Sequence, residues 1–270
     1  MALPLDPSAV RVYDLAQPLE RATPSSPNHP GFQMALIRRH GDAPRSDGSS
    51  GASELMTLGT HTGTHIDALC HIAAAGRLYG GLDAEACSRG GRFVQLGVET
   101  IAPIVSRAVL LDMATYFGED GMLSADHGIG ASELEQACHL ANVKICSGDV
   151  VLIRTGWSRH LSDAEAFVGR RTGVPGVQES GARWLVRRGA SAVGADTTSF
   201  EQIRPGPAPL LPVHTLLLVD HGVHIIEMLR LDELAGDRVT ELLLIAAPLR
   251  IIGATGSPLR PLGIVYGDAR

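Results

Sequence analysis

The stretch HTGTHIDALCH, His61 to His71, constrains the fold more than any other part of the chain, because it sets three histidines and an aspartate around a glycine within eleven residues. His61, Gly63, His65, Asp67, Leu69 and His71 all fall on odd positions, so an extended backbone would set them on one face. At about 3.3 Å of rise per residue, His61 and His65 would start roughly 13 Å apart on a straight strand. Metal–imidazole bonds are about 2.0–2.1 Å long. Both rings therefore reach one ion only if the chain bends between them, and Gly63 is where a bend meets no Cβ. The i, i+4 spacing of His61 and His65 also suits one face of a helix, as in H-E-x-x-H zinc motifs. However, LGTHTGTH carries two glycines and three threonines in eight residues, a poor helix composition, and position 62 is Thr, not Glu. The segment reads as a bent strand or loop.

At 270 residues the chain is long enough to bury roughly 70–75% of its surface without disulfide support. Its net charge of −6 and the lack of any basic cluster longer than a pair such as Arg38-Arg39 or Arg187-Arg188 argue against nucleic acid and anionic membrane as main partners. The start, MALPLDPSAVRVYDLAQPLE, has no basic and apolar leader pattern, and no apolar run approaches the roughly 20 residues of a membrane helix. Cys70, Cys87, Cys138 and Cys146 show no C-x-x-C spacing, as expected of reduced thiols in a cytoplasmic protein. With aromatics at 4%, the core must be built from Leu, Val, Ile and Ala.

Buried strands are expected at RAVLLDMA from Arg107, DVVLIRTGW from Asp149, ASAVGAD from Ala190 and LLLIAAPLRIIGA from Leu242. SADHGIGASELEQACHLANV reads as a helix with Ser132 as N-cap and Glu135 closing a capping box, and ESGARWLVRRG as a second helix ending at Gly189. Strands alternating with helices imply an α/β fold. No repeat, heptad or linker divides the chain, so residues 1–270 are expected to form a single domain. GDAPRSDGSSGAS, just upstream of the histidine segment, has the composition of a mobile flap.

Phosphate loops, G-x-S-x-G and a strand followed by G-x-G-x-x-G are all absent, which disfavours phosphoryl transfer, serine-elbow hydrolysis and nicotinamide chemistry. The histidine segment resembles the H-x-G-T-H-x-D-x-P-x-H signature of the cyclase-like metal hydrolases, a family that includes bacterial kynurenine formamidases and isatin hydrolases. His61, Gly63, Thr64, His65, Asp67 and His71 fit it, while Leu69 stands where proline is common, as in a subgroup with D-A-L-x-H. GADTTSFEQ from Gly194, LPVHTLLL from Leu211, GVHIIEML from Gly222 and APLRIIGATGSPLRP near the end are similar to further family blocks in the same order. The resemblance covers about Tyr13 to Pro261. It implies a swivelling β/β/α-type fold and a homodimer or higher homo-oligomer. It further implies a first metal held by His61, His65 and Asp67, with Asp67 bridging to a second metal on His214 and Glu227, and His71 as general acid/base. Two departures stand out: TPSSPNHPGF lacks the early-loop tryptophan of kynurenine formamidases, and Glu227 stands near where mononuclear relatives have glutamine.

A mixed nitrogen and oxygen ligand set without thiolate suits Zn²⁺ or Mn²⁺, one or two ions per subunit. An open coordination position supplies hydroxide near neutral pH, and His71 would protonate the departing nitrogen. The expected activity is that of a metal-dependent amidohydrolase acting on a small cyclic amide, imide or isatin-like lactam, with arylformamidase activity on N-formylkynurenine as the alternative. A metal-dependent lyase or cyclase moving a proton on carbon, and a non-catalytic metal-binding relative, are the readings from other classes. His29 and Phe32 are candidates to line the substrate pocket. Asp196 and Thr197 either orient a ligand histidine or form a structural turn. Cys70 reads as a small buried side chain, and His40, His127, His139 and His160 as surface or loop residues.

Overall fold

The computed structural model describes residues 9–26, 28–206 and 210–267. The first eight residues, read above for a leader, lie outside them, as does Pro27 of the early loop. Nine strands form the main sheet: β1 (Val10–Asp14), β2 (His65–Asp67), β3 (Ile104–Asp112), β4 (Val150–Arg154), β5 (Ala192–Ala195), β6 (His224–Glu227), β7 (Glu241–Ala246), β8 (Gly256–Pro258) and β9 (Leu262–Tyr266). Their order is β1-β9-β7-β3-β4-β5-β6-β2-β8. The four central strands, β3 to β6, run parallel, and every neighbour added outside them is antiparallel.

The composition of the strands explains this layering. VVLIR in β4 and AVGA in β5 are buried along their whole length, as a parallel strand covered on both faces requires. In β7, ELLLIA, the alternation returns, with Leu242, Leu244 and Ala246 buried. One face of the central strands presents Val109, Leu111, Val151, Ile153, Val193 and Ile225 to the helices α1 (Ala131–Leu140), α2 (Glu179–Arg187) and α3 (Pro212–His214, continued by a π-helical stretch Thr215–Asp220). The other face, with Ala108, Leu110, Val150, Leu152 and Ile226, encloses a second core with Tyr13, Leu15, Ile66, Leu242 and Leu244. The sheet curls around that second core. Ala16, just past β1, bridges to Leu229 beyond β6, and the Gln17 N–H donates to Thr64 Oγ1 at 2.8 Å.

Two expectations are corrected here. Ser132 does not cap α1: the cap is Gly130, whose N–H donates to Glu133 at 3.0 Å, so the helix starts earlier in register than the Ser132/Glu135 reading. Glu135 instead ties the helices together, accepting from Trp184 Nε1 at 2.7 Å and pairing with Arg188. The strand expected from Leu242 to Ala254 stops at Ala246. GDAPRSDGSSGAS joins the two strands of a separate hairpin, Gln33–Arg38 and Ser53–Thr57, and every residue of those strands is exposed.

Candidate metal centre

The site forms where β2 adds antiparallel to the end of β6. Register pairs Glu227 with His65 and Ile226 with Ile66. Paired residues share a face, so the two isoleucines go into the enclosed core, both fully buried, and His65 and Glu227 emerge together on the other side. Asp67, two residues along β2, faces the same way. His61 reaches them because the chain bends at Gly63, whose φ of +68° lies in the left-handed region. Gly256, opposite Asp67 in β8, leaves room for the His61 ring: a Cβ there would lie 2.7 Å from His61 Cε1. His214 arrives from the first turn of α3.

His61, His65, Asp67, His214 and Glu227 are all buried. One ligand atom each from His61, His65 and Asp67 lie within 4.8 Å of one another, and so do those of Asp67, His214 and Glu227, which leaves Asp67 common to both groups. His65 Nε2 is 3.3 Å from Glu227 Oε2 and 3.6 Å from Asp67 Oδ1. His214 Nε2 is 3.2 Å from Glu227 Oε1 and 3.6 Å from Asp67 Oδ2. His65 Nε2, Asp67 Oδ2 and Glu227 Oε1 are buried without a hydrogen-bond partner. Three orphaned polar atoms converging in one place would carry a heavy desolvation cost, and a cation removes it. These residues fit a metal ion with nitrogen and oxygen donors.

The far nitrogen of each histidine is already engaged. The Gly63 carbonyl, 2.8 Å from His65 Nδ1, can only accept, so Nδ1 carries the proton and Nε2 faces the site. His61 Nε2 meets Thr255 Oγ1 at 2.9 Å, leaving Nδ1 toward Asp67 at 2.8 Å. His214 Nδ1 donates to Glu201 at 2.5 Å. The backbone of Asp67 is held as well, its carbonyl accepting from His224 Nδ1 at 2.8 Å. Burial opposes charging of His214, yet the Glu201 and Glu227 carboxylates outweigh it and hold its imidazole well above the ordinary range. Burial likewise opposes ionisation of Asp67 and Glu227, but the surrounding histidines keep both carboxyls below their usual range. A cation entering here therefore displaces protons.

His71 leaves the strand through a tight turn, its N–H donating to the Ala68 carbonyl at 2.9 Å. Its ring stacks on His61 with centroids 3.9 Å apart, and burial pulls its pKa down to about 4. His29 completes the histidine cluster, 4.9 Å from His61. Together with Ile72, Val168, Ile203, Leu211 and Met228 these residues line a cavity of about 520 Å³ that opens from the ligand cluster.

Other expected site residues fall elsewhere. Phe32 is 6% exposed and does not line this cavity; the Pro30 carbonyl takes the Gly59 N–H and the Thr62 hydroxyl, which fixes the turn just after His29. Asp196 does not reach a ligand histidine. Burial pushes its carboxyl up to about 6, and it accepts from Thr155 N, Thr155 Oγ1 and Gly156 N, which fixes the turn after β4. The Thr197 carbonyl accepts from Met228 N–H at 2.9 Å, and its hydroxyl has no partner. None of residues 41–53 lines the cavity among the described residues. Cys70 is 2% exposed, and burial raises its thiol to about 12, as suits a core side chain.

Residues 13–202 match the family model described as "Putative cyclase". The chain belongs to the cyclase family. Isatin hydrolase from Roseibium aggregatum is 30% identical over 229 residues, covering 82% of this chain and 77% of that protein. Kynurenine formamidase from Sphingopyxis alaskensis is 25% identical over 259 residues, covering 93% and 97%. A solved structure described as a novel cyclase superposes with a TM-score of 0.84 at 28% identity, covering 94% of this chain and 88% of that one. The swivelled α/β architecture is thus that of the cyclase family. Glu201 and Thr255, which engage the far nitrogens of His214 and His61, are positions that reasoning from residue types missed. Both lie inside sequence blocks that resemble the family, GADTTSFEQ and GATGS, but a lone Glu or Thr carries no spacing signal of its own.

Proposed function

We propose that this cyclase-family protein is a metal-dependent amidohydrolase that opens small cyclic amides, imides or isatin-like lactams. The observation that carries the reading is the convergence of His65 Nε2, Asp67 Oδ2 and Glu227 Oε1, buried and unpartnered, at one end of a cavity that His71 also lines. His61, His65 and Asp67 would hold one Zn²⁺ or Mn²⁺, and Asp67, His214 and Glu227 a second. Such an ion, when bound, polarises a carbonyl and supplies a hydroxide nucleophile at neutral pH.

The protein's own groups do the rest. His71, neutral at pH 7, accepts the proton of the attacking water and returns it to the leaving nitrogen as the C–N bond breaks. The product is a carboxylate and an amine, or a carboxylate and an amide where the substrate is an imide, joined in one ring-opened molecule when the substrate is cyclic. A net gain of one water separates this reaction from a lyase or cyclase. The cavity offers aliphatic side chains and the His29 ring, and among the described residues no Phe, Tyr or Trp lines it. Stacking is worth about 0.5–1.5 kcal/mol beyond area burial, so its absence disfavours a flexible aryl ketone such as N-formylkynurenine by roughly three- to tenfold. The isatin hydrolase relative also supports a lactam.

Assembly as a homodimer is supported by the all-exposed hairpin, whose Met34, Leu36, Ile37, Leu55 and Met56 are uncovered although a lone two-stranded ribbon is marginal in water. A cytoplasmic location is supported by the four free cysteines; no helix among the described residues is long and apolar enough to cross a membrane. The deciding experiment measures kcat/KM with Zn²⁺- and Mn²⁺-loaded protein on isatin, cyclic imides, lactams and N-formylkynurenine. Ring opening of a lactam or imide with gain of water is expected. N-formylkynurenine winning by tenfold or more would establish the second reading, an arylformamidase.

A further inference from the structure

Glu201 is 1% exposed and lies between the end of β5 and the start of α3. Its Oε1 accepts from the His214 N–H at 2.9 Å and from His214 Nδ1 at 2.5 Å, and its Oε2 accepts from the Val213 N–H at 3.1 Å. The first N–H groups of a helix have no partner within it, so one carboxylate both anchors the opening turn of α3 and grips the imidazole carried by that turn. The other two ligand histidines are held differently. His65 is oriented by the neutral Gly63 carbonyl and His61 by the neutral Thr255 hydroxyl. Among the described residues, only His214 has a carboxylate behind its ring. The far side of its ring faces Asp67 and Glu227, so this half of the cluster gathers three carboxylates around one imidazole.

We infer that Glu201 is a positioning residue that gives the Asp67/His214/Glu227 half of the site its own, separately tuned affinity for a divalent cation. The inference rests on the metal-binding reading above. A carboxylate behind the imidazole fixes its tautomer, aims Nε2 at the ion and makes that nitrogen a stronger donor, an effect typically worth 10–100-fold in metal affinity. The half built on His61 and His65 has no such charge and should not depend on Glu201.

The test is Mn²⁺ titration of metal-free protein against a competing chelator, with electron paramagnetic resonance to distinguish one bound ion from a coupled pair. Wild type, Glu201→Gln, Glu201→Ala and Glu201→Asp are compared, and thermal melts of the metal-free proteins check folding. Glu201→Gln should weaken one binding step 10–100-fold and abolish the coupled signal, leaving the other step within about twofold. Glu201→Ala should do at least as much. Glu201→Asp, which keeps the charge, should recover part of the lost step, a rescue that a merely structural role would not give if all three variants melt alike. Both steps weakening in parallel, or neither changing, would overturn the role of Glu201 while leaving the metal reading intact. Wild type that takes up no Mn²⁺ would overturn both.

Discussion

Replacing Gly63 with alanine tests whether the bend among the ligands is what assembles the site. Gly63 has φ +68°, and an L-residue in that left-handed conformation costs about 1–2 kcal/mol. The added Cβ would lie 2.4 Å from Leu19 Cδ2; the next atoms, Leu19 Cγ at 3.5 Å and Thr23 Cγ2 at 4.0 Å, are at ordinary contact. Leu19 is 38% exposed, so its methyl can swing aside at little cost. The backbone therefore dominates, and Gly63→Ala should lose about 1–2 kcal/mol by urea denaturation of the metal-free protein. Melting should drop by roughly 2–4 °C per kcal/mol. Relaxing the Gly63 backbone also moves its carbonyl, which holds His65 Nδ1 at 2.8 Å, so metal affinity should fall about 10–100-fold by chelator competition. Gly63→Ala combined with Leu19→Ala should recover no more than a small part of either loss. Gly63→Asn, a residue that tolerates the left-handed region, should lose less stability than alanine. Alanine within about 0.5 kcal/mol of wild type and at full metal affinity would refute the reasoning, since surface-like neutrality is incompatible with a strained position. Complete restoration by Leu19→Ala would show crowding, and not φ, to be the constraint.

His65→Ala and Asp67→Ala should lose metal and activity together by elemental analysis and turnover, whereas His71→Asn should keep the metal and lose about 10²–10⁴-fold in kcat. An emptied site in His71→Asn would make His71 a ligand. Anomalous scattering from metal-loaded crystals should show two peaks within about 4 Å of each other, the one beside His214 weakened most by Glu227→Gln. A single peak at full loading would favour the mononuclear form. At pH 8, iodoacetamide should label the exposed Cys146 well before Cys70 or Cys138, because burial lifts those two thiols to about 12 and about 11 and leaves little thiolate; their labelling should rise with pH, or abruptly on unfolding. Prompt labelling of Cys70 in the folded protein would contradict its placement in the enclosed core.

Continuous apolar runs made β3, β4, β5 and β7 readable from the sequence; β4 and β5, covered on both faces, need no polar alternation, while β7 is apolar in sequence although its burial alternates. The histidine segment was legible as a bent strand or loop, but the partners of the three-residue strand β2 within it, β6 and β8, were not: they lie more than a hundred residues away, and no local propensity records such pairing. The start of α1 was displaced by a plausible Ser132/Glu135 pair. Gly130 and Glu133 close the turn instead, and Glu135 serves the α1–α2 contact. Within the site, His61, His65, Asp67 and His71 stood out because they are close in sequence. His214 and Glu227 needed family resemblance, since their convergence depends on register and on the loop after β5. Glu201 carried no signal, because a single glutamate in a turn has the same appearance whether it is solvated or buried against an imidazole.

That difference has a physical origin that bears on how such a site is built. Ligand atoms must converge within a few ångströms, and the locally spaced ones can do so through a single bend, which is why Gly63 sits among them. The remaining requirement is that each imidazole present a chosen nitrogen, and this demands a hydrogen-bond partner on its far side. Those partners come from wherever the fold has backbone or side chain to spare: the bend itself for His65, the strand entering β8 for His61, the turn before α3 for His214. The glycine in the ligand segment therefore has two functions. It reverses the backbone between two histidines, and its own carbonyl selects which nitrogen of the second one faces the site. A side chain there would strain the bend, and that strain would move the carbonyl, so the two functions are expected to fail together. This is why stability and metal affinity should change in parallel at Gly63, whereas at Glu201 affinity should change for one half of the cluster alone.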